Sequence, residues 1–171
     1  EEVRAASITA VHMPQGGMPA LGDNPLFLGC ADYRSTIASN GESSGFTFPE
    51  EMRRHADKGT ALVTDKDPGD AEIAEVVSQA AAHSCIVLGT YNGHILQGQL
   101  RLAKALAATG LPMILVALRN PYDLRNMPNH VAALAGWEYT RPLFDALWPV
   151  LNGTVRPTGK LPLLTLTKAA K

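Results

Sequence analysis

Leu111-Pro112-Met113-Ile114-Leu115-Val116-Ala117-Leu118-Arg119-Asn120-Pro121-Tyr122-Asp123-Leu124 is the stretch that decides the fold. Met113 to Leu118 is an unbroken apolar run, which fits a strand buried on both faces, as in a parallel sheet covered by helices. Gly110, Leu111 and Pro112 close the helical pattern ahead of it. Behind it the chain turns polar and meets Pro121, which predicts an irregular loop. A buried strand that empties into a polar loop at its carboxyl end is where open α/β sheets bind ligands. Arg119 and Asp123 have two readings there: contacts for a ligand, or charges that simply hold the loop in shape.

The pattern continues on the amino-terminal side. Residues 95–109 place Leu96, Leu100, Ala103 and Ala107 on one helical face, widened by Leu102 and Leu106, with Gly110 suited to a left-handed cap. Residues 84–90, around Cys85, Ile86, Val87 and Leu88, read as another buried strand. Pro68, Gly69 and Asp70 open a helix through Ile73, Val76, Val77, Ala80 and Ala81, after a short strand at 60–64 stopped by Asp65. Thr47 and Glu50 form a capping box for a helix over 48–57, with Pro49 harmless in its first turn and Lys58 and Gly59 at its end. The first core strand is 25–31, ending at Asp32 and Tyr33, before a Ser-, Asn- and Gly-rich loop over 34–45.

Residues 7–13 alternate apolar and polar and suit an edge strand, while 1–6 read as the last turn of a helix whose start is missing. Residues 1–24 are therefore expected to be a truncated linker helix and edge strand leading into a domain over 25–171. On the carboxyl side, 131–135 suits a short strand, and Thr140 caps a helix through Leu143, Phe144, Leu147 and Trp148 that Pro149 should kink or shorten. A last strand or extended tail is expected near 163–166. Strand and helix alternate throughout, which predicts an α/β chain: a three-layer α/β/α sandwich with a mostly parallel, flavodoxin-like sheet of five to six strands. Its carboxyl edge gathers Asp32, Asp65, Thr90, Tyr91, Asn92, Arg119, Asn120 and Asp123, and a site belongs there.

Composition excludes several function classes. Fifteen Lys plus Arg against 16 Asp plus Glu leave no excess to draw the chain onto nucleic acid or an anionic membrane. No apolar run approaches the roughly 20 residues that cross a bilayer. Cys30 and Cys85 fall inside expected strands and read as free buried thiols, with a disulfide between adjacent strands as the alternative. His12, His55, His83, His94 and His130 are scattered without a ligand-like interval, so neither a metal nor another cofactor is expected.

The familiar catalytic motifs fail on spacing. The stretch from Gly153 to Lys160 resembles a phosphate loop, but Leu161 stands where a metal-binding hydroxyl is required. Gly89, Gly93 and Gly98 are too widely spaced for a dinucleotide fingerprint, and no Gly-x-Ser-x-Gly elbow exists. Asp32 and Asp65 sit like the acids of phospho-acceptor receiver domains, yet no lysine ends the fifth strand to meet a phosphoryl group.

A set of short segments carries more information. Gly89-Thr90-Tyr91-Asn92, Gln97-Gly98-Gln99, Thr109-Gly110-Leu111-Pro112, the 117–124 string, Glu138-Tyr139-Thr140, Asn152-Gly153 and Pro157-Thr158-Gly159-Lys160-Leu161-Pro162 occur in that order. Together they resemble the carboxyl-terminal domain of glycoside hydrolase family 3, and within it the bacterial β-N-acetylhexosaminidase branch that trims cell-wall muropeptides. The likeness covers nearly the whole chain. It implies a preceding (β/α)8 barrel carrying the aspartate nucleophile and, in this branch, the acid/base His and Asp. It also implies a carbohydrate substrate and a bacterial, extracellular or cell-wall associated parent.

Nothing in the 171 residues matches the Lys-His-Phe-Pro-Gly type motif of that barrel. Other branches place an acid/base glutamate soon after the strand matching 84–90, where this chain reads Tyr91-Asn92-Gly93-His94-Ile95-Leu96-Gln97, without a carboxylate. Glycoside cleavage needs a proton donor and a second group that attacks or activates water, and no convincing pair is visible. The expectation is a non-catalytic domain with no catalytic residue of its own. Tyr91, Asn92, His94, Arg119, Asn120 and Asp123 are its candidate substrate-binding residues. Two other readings stay open: a free-standing flavodoxin-like binding module for a sugar or nucleotide, and an accessory domain of another cell-wall hydrolase, such as a serine amidase or β-lactamase-like module.

Overall fold

A computed structural model describes residues 8–32 and 45–159. The helix expected over 1–6, most of the loop at 34–45 and the strand expected near 163–166 lie outside the described residues. Six strands form one sheet: β1 (Thr9–His12), β2 (Pro25–Cys30), β3 (Thr60–Thr64), β4 (Cys85–Thr90), β5 (Met113–Ala117) and β6 (Val131–Ala135). Their spatial order is β1-β6-β5-β4-β2-β3. All neighbours are parallel except β1, which runs antiparallel to β6, starting with Thr9 opposite Ala135 and slipping register after Ala10. Setting β1 aside, the five parallel strands follow the flavodoxin-like order, whose switch point lies between β2 and β4.

Four α-helices cover the sheet: α1 (Phe48–Ala56), α2 (Asp70–Ala80), α3 (Gln97–Ala107) and α4 (Arg141–Leu151). Side-chain alternation along the strands sends Phe27, Val87, Ile114, Val116 and Leu134 to a core shared with α1 and α4. Leu26, Leu28, Ile86, Leu88 and Leu115 go to a second core shared with α2 and α3. Two separate cores on either side of one sheet make the three layers.

The local signals act as their chemistry requires. Thr47 Oγ1 accepts from the Glu50 N–H and donates its own proton to the Glu50 carboxylate at 2.6 Å, and Thr140 caps α4 by accepting from the Leu143 N–H. Gly110 takes the left-handed backbone, φ +75°, after α3. Gly89 is needed for a different reason: a Cβ there would fall 2.5 Å from Phe48 Cδ1, so its absence lets that ring lie on the sheet.

Four expectations are corrected. The segment after β5 is not irregular: Pro121–Leu124 is a 3-10 helix, because Asn120 caps it by accepting from the Tyr122 N–H. Helix α3 begins at Gln97 rather than 95, since Leu96 takes the non-helical backbone of a cap residue, φ −96° and ψ 85°. Its buried stripe accordingly centres on Gln99, Leu102, Ala103 and Leu106, leaving Leu96 and Leu100 only partly covered. Helix α4 is not cut at Pro149 but runs two residues past it, to Leu151, although the proline offers no N–H to the Asp145 carbonyl one turn earlier. The cysteines are free, and their strands show why: Pro25 pairs with Cys85 and Gly29 with Gly89. Cys30 therefore stands five positions along from Cys85, roughly 16 Å at ordinary strand rise, beyond disulfide reach.

Candidate functional site

The polar groups of the chain converge on the rim formed by the carboxyl ends of β2, β4 and β5, at the switch point. Most of that rim is built by the loop after β4. Asn92 adopts a left-handed backbone, φ +57°, and its carbonyl accepts from both Ile95 and Leu96. The loop is then tied down at both ends. Gln99, buried in α3, accepts from the Tyr91 N–H at 2.8 Å and donates to the Tyr91 carbonyl and to the Lys66 carbonyl. One amide thus fixes the end of β4 against the loop after β3.

Asp123 holds the middle of the same loop. Its carboxylate is 0% exposed and accepts from the Gly93 N–H at 2.9 Å and the His94 N–H at 2.8 Å. A Cβ on Gly93 would come within 3.2 Å of that carboxylate, so glycine keeps the approach open. The third neighbour is the His94 ring, with Nδ1 3.3 Å from Asp123 Oδ1. Burying a carboxylate is costly unless donors surround it, and here two backbone groups and an imidazole do so.

On the open side, Arg119 Nη1 donates to the Tyr91 hydroxyl at 2.9 Å, with the guanidinium 5.5 Å from the Tyr91 ring centroid. Asn120 Nδ2 lies 3.5 Å from His94 Nε2. The six residues singled out from the sequence are therefore brought together, in two roles. Arg119 with the Tyr91 hydroxyl and His94 with Asn120 form two contacting pairs along the rim, the Tyr91 ring itself being buried, whereas Asp123 and Asn92 are buried and shape the loop. Ile95, 66% exposed, stands on the loop after β4, and Tyr122, 40% exposed, on the 3-10 helix after β5.

Beneath the rim lies an aromatic cluster of Phe46, Phe48, Tyr91, Tyr139 and Phe144. Tyr139 packs edge-on to Tyr91 at 5.4 Å and to Phe144 at 5.1 Å. Its hydroxyl accepts from the Phe48 N–H at 2.8 Å and donates to the Cys30 carbonyl at 3.0 Å, joining the start of α1 to the end of β2. Burial pushes that hydroxyl above the ordinary tyrosine range. Burial also pushes the Cys30 thiol up to about 12, with the Asp65, Asp32 and Asp123 carboxylates adding to the effect. Cys85 is likewise held at about 12 by burial. Both thiols are inert as nucleophiles at neutral pH.

Gln99 and Tyr139 were not anticipated as site-building residues. For Gln99 the available signal was a polar residue in step with Leu102, Ala103 and Leu106 on a buried stripe. Tyr139 offered no local signal, since its partners lie 91 and 109 residues away. Among the described residues no group of three or more His, Cys, Asp and Glu is placed to hold a metal ion. No helix among them is long and apolar enough to cross a membrane. A cavity of about 600 Å³ lies elsewhere, beside β1 and the end of α4, lined by Ala10, Met13, Met18, Val150 and Arg156 among others. It shares none of the rim residues.

No protein-family model matches the sequence. No curated protein matches it either. Solved structures do. A glycoside hydrolase family 3 β-N-acetylglucosaminidase from Paenibacillus sp. str. FPU-7 superposes with TM-score 0.80 at 23% identity, over 94% of this chain and 31% of that one. A β-glucosidase from Listeria innocua in complex with isofagomine gives 0.72 at 16% identity, over 94% and 26%. A fungal multi-domain family 3 β-N-acetylglucosaminidase gives 0.72 at 18% identity, over 94% and 18%. The fold is that of one part of these larger chains. This chain spans less than a third of the length of each of the three.

Proposed function

We propose that the chain is the non-catalytic carboxyl-terminal domain of a retaining family 3 glycoside hydrolase, a β-N-acetylglucosaminidase acting on cell-wall muropeptides. Residues 1–24 lead from a (β/α)8 barrel, which supplies the nucleophile and the proton donor, through the edge strand β1 into the domain over 25–171. The domain packs against that barrel, and the rim at Tyr91, His94, Arg119 and Asn120 walls the sugar cleft, with Asn92 and Asp123 holding it in shape.

The observation that supports this reading above all is the asymmetry of the structural match: 94% of this chain against 31% of the Paenibacillus enzyme. The rim adds to it. It carries fixed polar groups flanked by the exposed Ile95 and Tyr122, as expected of a surface that a second domain covers. The one rim carboxylate after β5, Asp123, is fully engaged by backbone donors and the His94 ring, which leaves it poorly suited to protonate a leaving group.

Expressed alone, the chain is expected to leave a nitrophenyl N-acetylglucosaminide intact; joined to its barrel, the same chain is expected to accompany hydrolysis. Appreciable turnover by the isolated 171 residues would overturn the non-catalytic assignment.

A further inference from the structure

We propose that His94 Nε2 and Asn120 Nδ2 form a two-atom seat for a ligand hydroxyl, in which the histidine accepts and the asparagine donates. This deepens the reading above and rests on it. The argument starts from Asn120. Its Oδ1 accepts from the Tyr122 N–H at 3.0 Å to cap the 3-10 helix, so turning the amide over would set an NH2 group against that N–H. The amide orientation is thereby fixed, and Nδ2, a donor only, is the atom that faces His94 at 3.5 Å.

The other side of the ring is fixed too. Nδ1 faces the buried Asp123 carboxylate, an acceptor, so the proton belongs on Nδ1. A neutral imidazole with Nδ1 protonated presents Nε2 as an acceptor, which suits the Asn120 donor opposite. At 3.5 Å that contact is long for a hydrogen bond, and the ring is 32% exposed. An acceptor and a donor so spaced can both be reached by one hydroxyl, which gives its proton to Nε2 and takes one from Nδ2. Sugars offer such groups; a ligand bearing only acceptors, such as a phosphodiester, leaves Nε2 unmatched. Arg119, held by the Tyr91 hydroxyl, supplies further donors along the same rim. His94 is here a binding residue, and Asp123 positions it.

Two measurements test this. In the full-length polypeptide joining this chain to its barrel, His94→Asn retains a donor where Nδ1 stands but removes the outer acceptor. The kcat/KM for chitobiose is expected to fall about fivefold, mostly through KM, and His94→Gln, whose amide reaches the Nε2 position, is expected to recover part of it. Wild-type KM in His94→Asn overturns the seat while leaving the domain assignment intact. Absence of any chitobiose cleavage by the full-length wild type removes the sugar-cleft reading and the seat with it. Nitrogen-15 NMR of the 171-residue chain at neutral pH is expected to show the Nδ1-protonated tautomer; an Nε2-protonated ring overturns the seat whatever the activity.

Discussion

The two faces of the sheet are filled by different chemistry. Against α2 and α3 the core is aliphatic, with Leu26, Leu28, Ile86, Leu88, Leu102, Leu106 and Leu115 packed together. Against α1 and α4 it is built around Phe27, Phe48, Tyr91, Tyr139 and Phe144, with both cysteines among them. Aliphatic side chains fill volume without direction, so that face supports the sheet but dictates little about the rim above it. Aromatic rings meet edge to face, and a tyrosine carries a hydrogen-bonding tip, so the other face fixes directions as well as volume. Tyr139 uses its tip to bind the end of β2 to the start of α1, and Tyr91 uses its own to hold Arg119 on the rim. The aromatic face is thus the mount on which the candidate site stands.

The largest test of this contrast is truncation. Phe144→Ala is expected to cost about 4 kcal/mol and Leu106→Ala about 3 kcal/mol by urea denaturation. Only the first should also shift the NMR signals of Tyr91 and Arg119. Equal disturbance of the rim by both would break the contrast.

Alkaline pH should act on the aromatic face alone, because Cys30, Cys85 and Tyr139 all lie there. The sign follows from proton binding. A thiol that titrates near 9 when unfolded and at about 12 when folded keeps its proton longer in the native state. The folded form therefore holds more protons between those values, and stability is full below pH 9 and falls as pH rises toward 12. Each thiol contributes a slope of at most about 1.4 kcal/mol per pH unit. Replacing both cysteines by alanine should flatten that slope, and an unchanged alkaline midpoint would contradict the assignment.

Smaller effects separate single hydroxyls. Tyr139→Phe removes a group that both donates and accepts in a buried setting and is expected to cost about 1 to 2 kcal/mol. Thr90 is the counterpart on the aliphatic side, where alternation from Leu88 places it. Its Oγ1 is buried without a hydrogen-bond partner. Thr90→Val should therefore stabilise the chain by about 0.5 to 1 kcal/mol in the same denaturation experiment.

How much of this could be read in advance depended on how local the cause is. Met113–Ala117 is apolar on both faces because both cores touch it, and the run itself says so. Thr47, Thr140 and Gly110 act on backbone within a few residues, and their sequence neighbours reveal them. Asn120-Pro121 was legible on the same terms, as a cap followed by a proline, yet the polar string around it reads as a loop. Gln99 and Tyr139 were not legible as builders of the site. Tyr139 gains its function from groups brought near only by the fold, and Gln99 from Tyr91 across a turn of chain and from the distant Lys66 carbonyl, and periodicity carries no information about either. The rim residues were found by a topological rule, but the split between Asp123 beneath and Arg119 above required burial and distance.

The reversed sense of β1 has a consequence for attachment. Because Thr9 lies opposite Ala135, the strand starts at the same edge as the polar rim and runs away from it. The Gly159 N–H, bonded to the Ile8 carbonyl, brings the far end of the described chain back to that spot. Any polypeptide tethered ahead of Ile8 or beyond Gly159 is thus leashed within a short span of the rim, at a high local concentration without needing strong affinity.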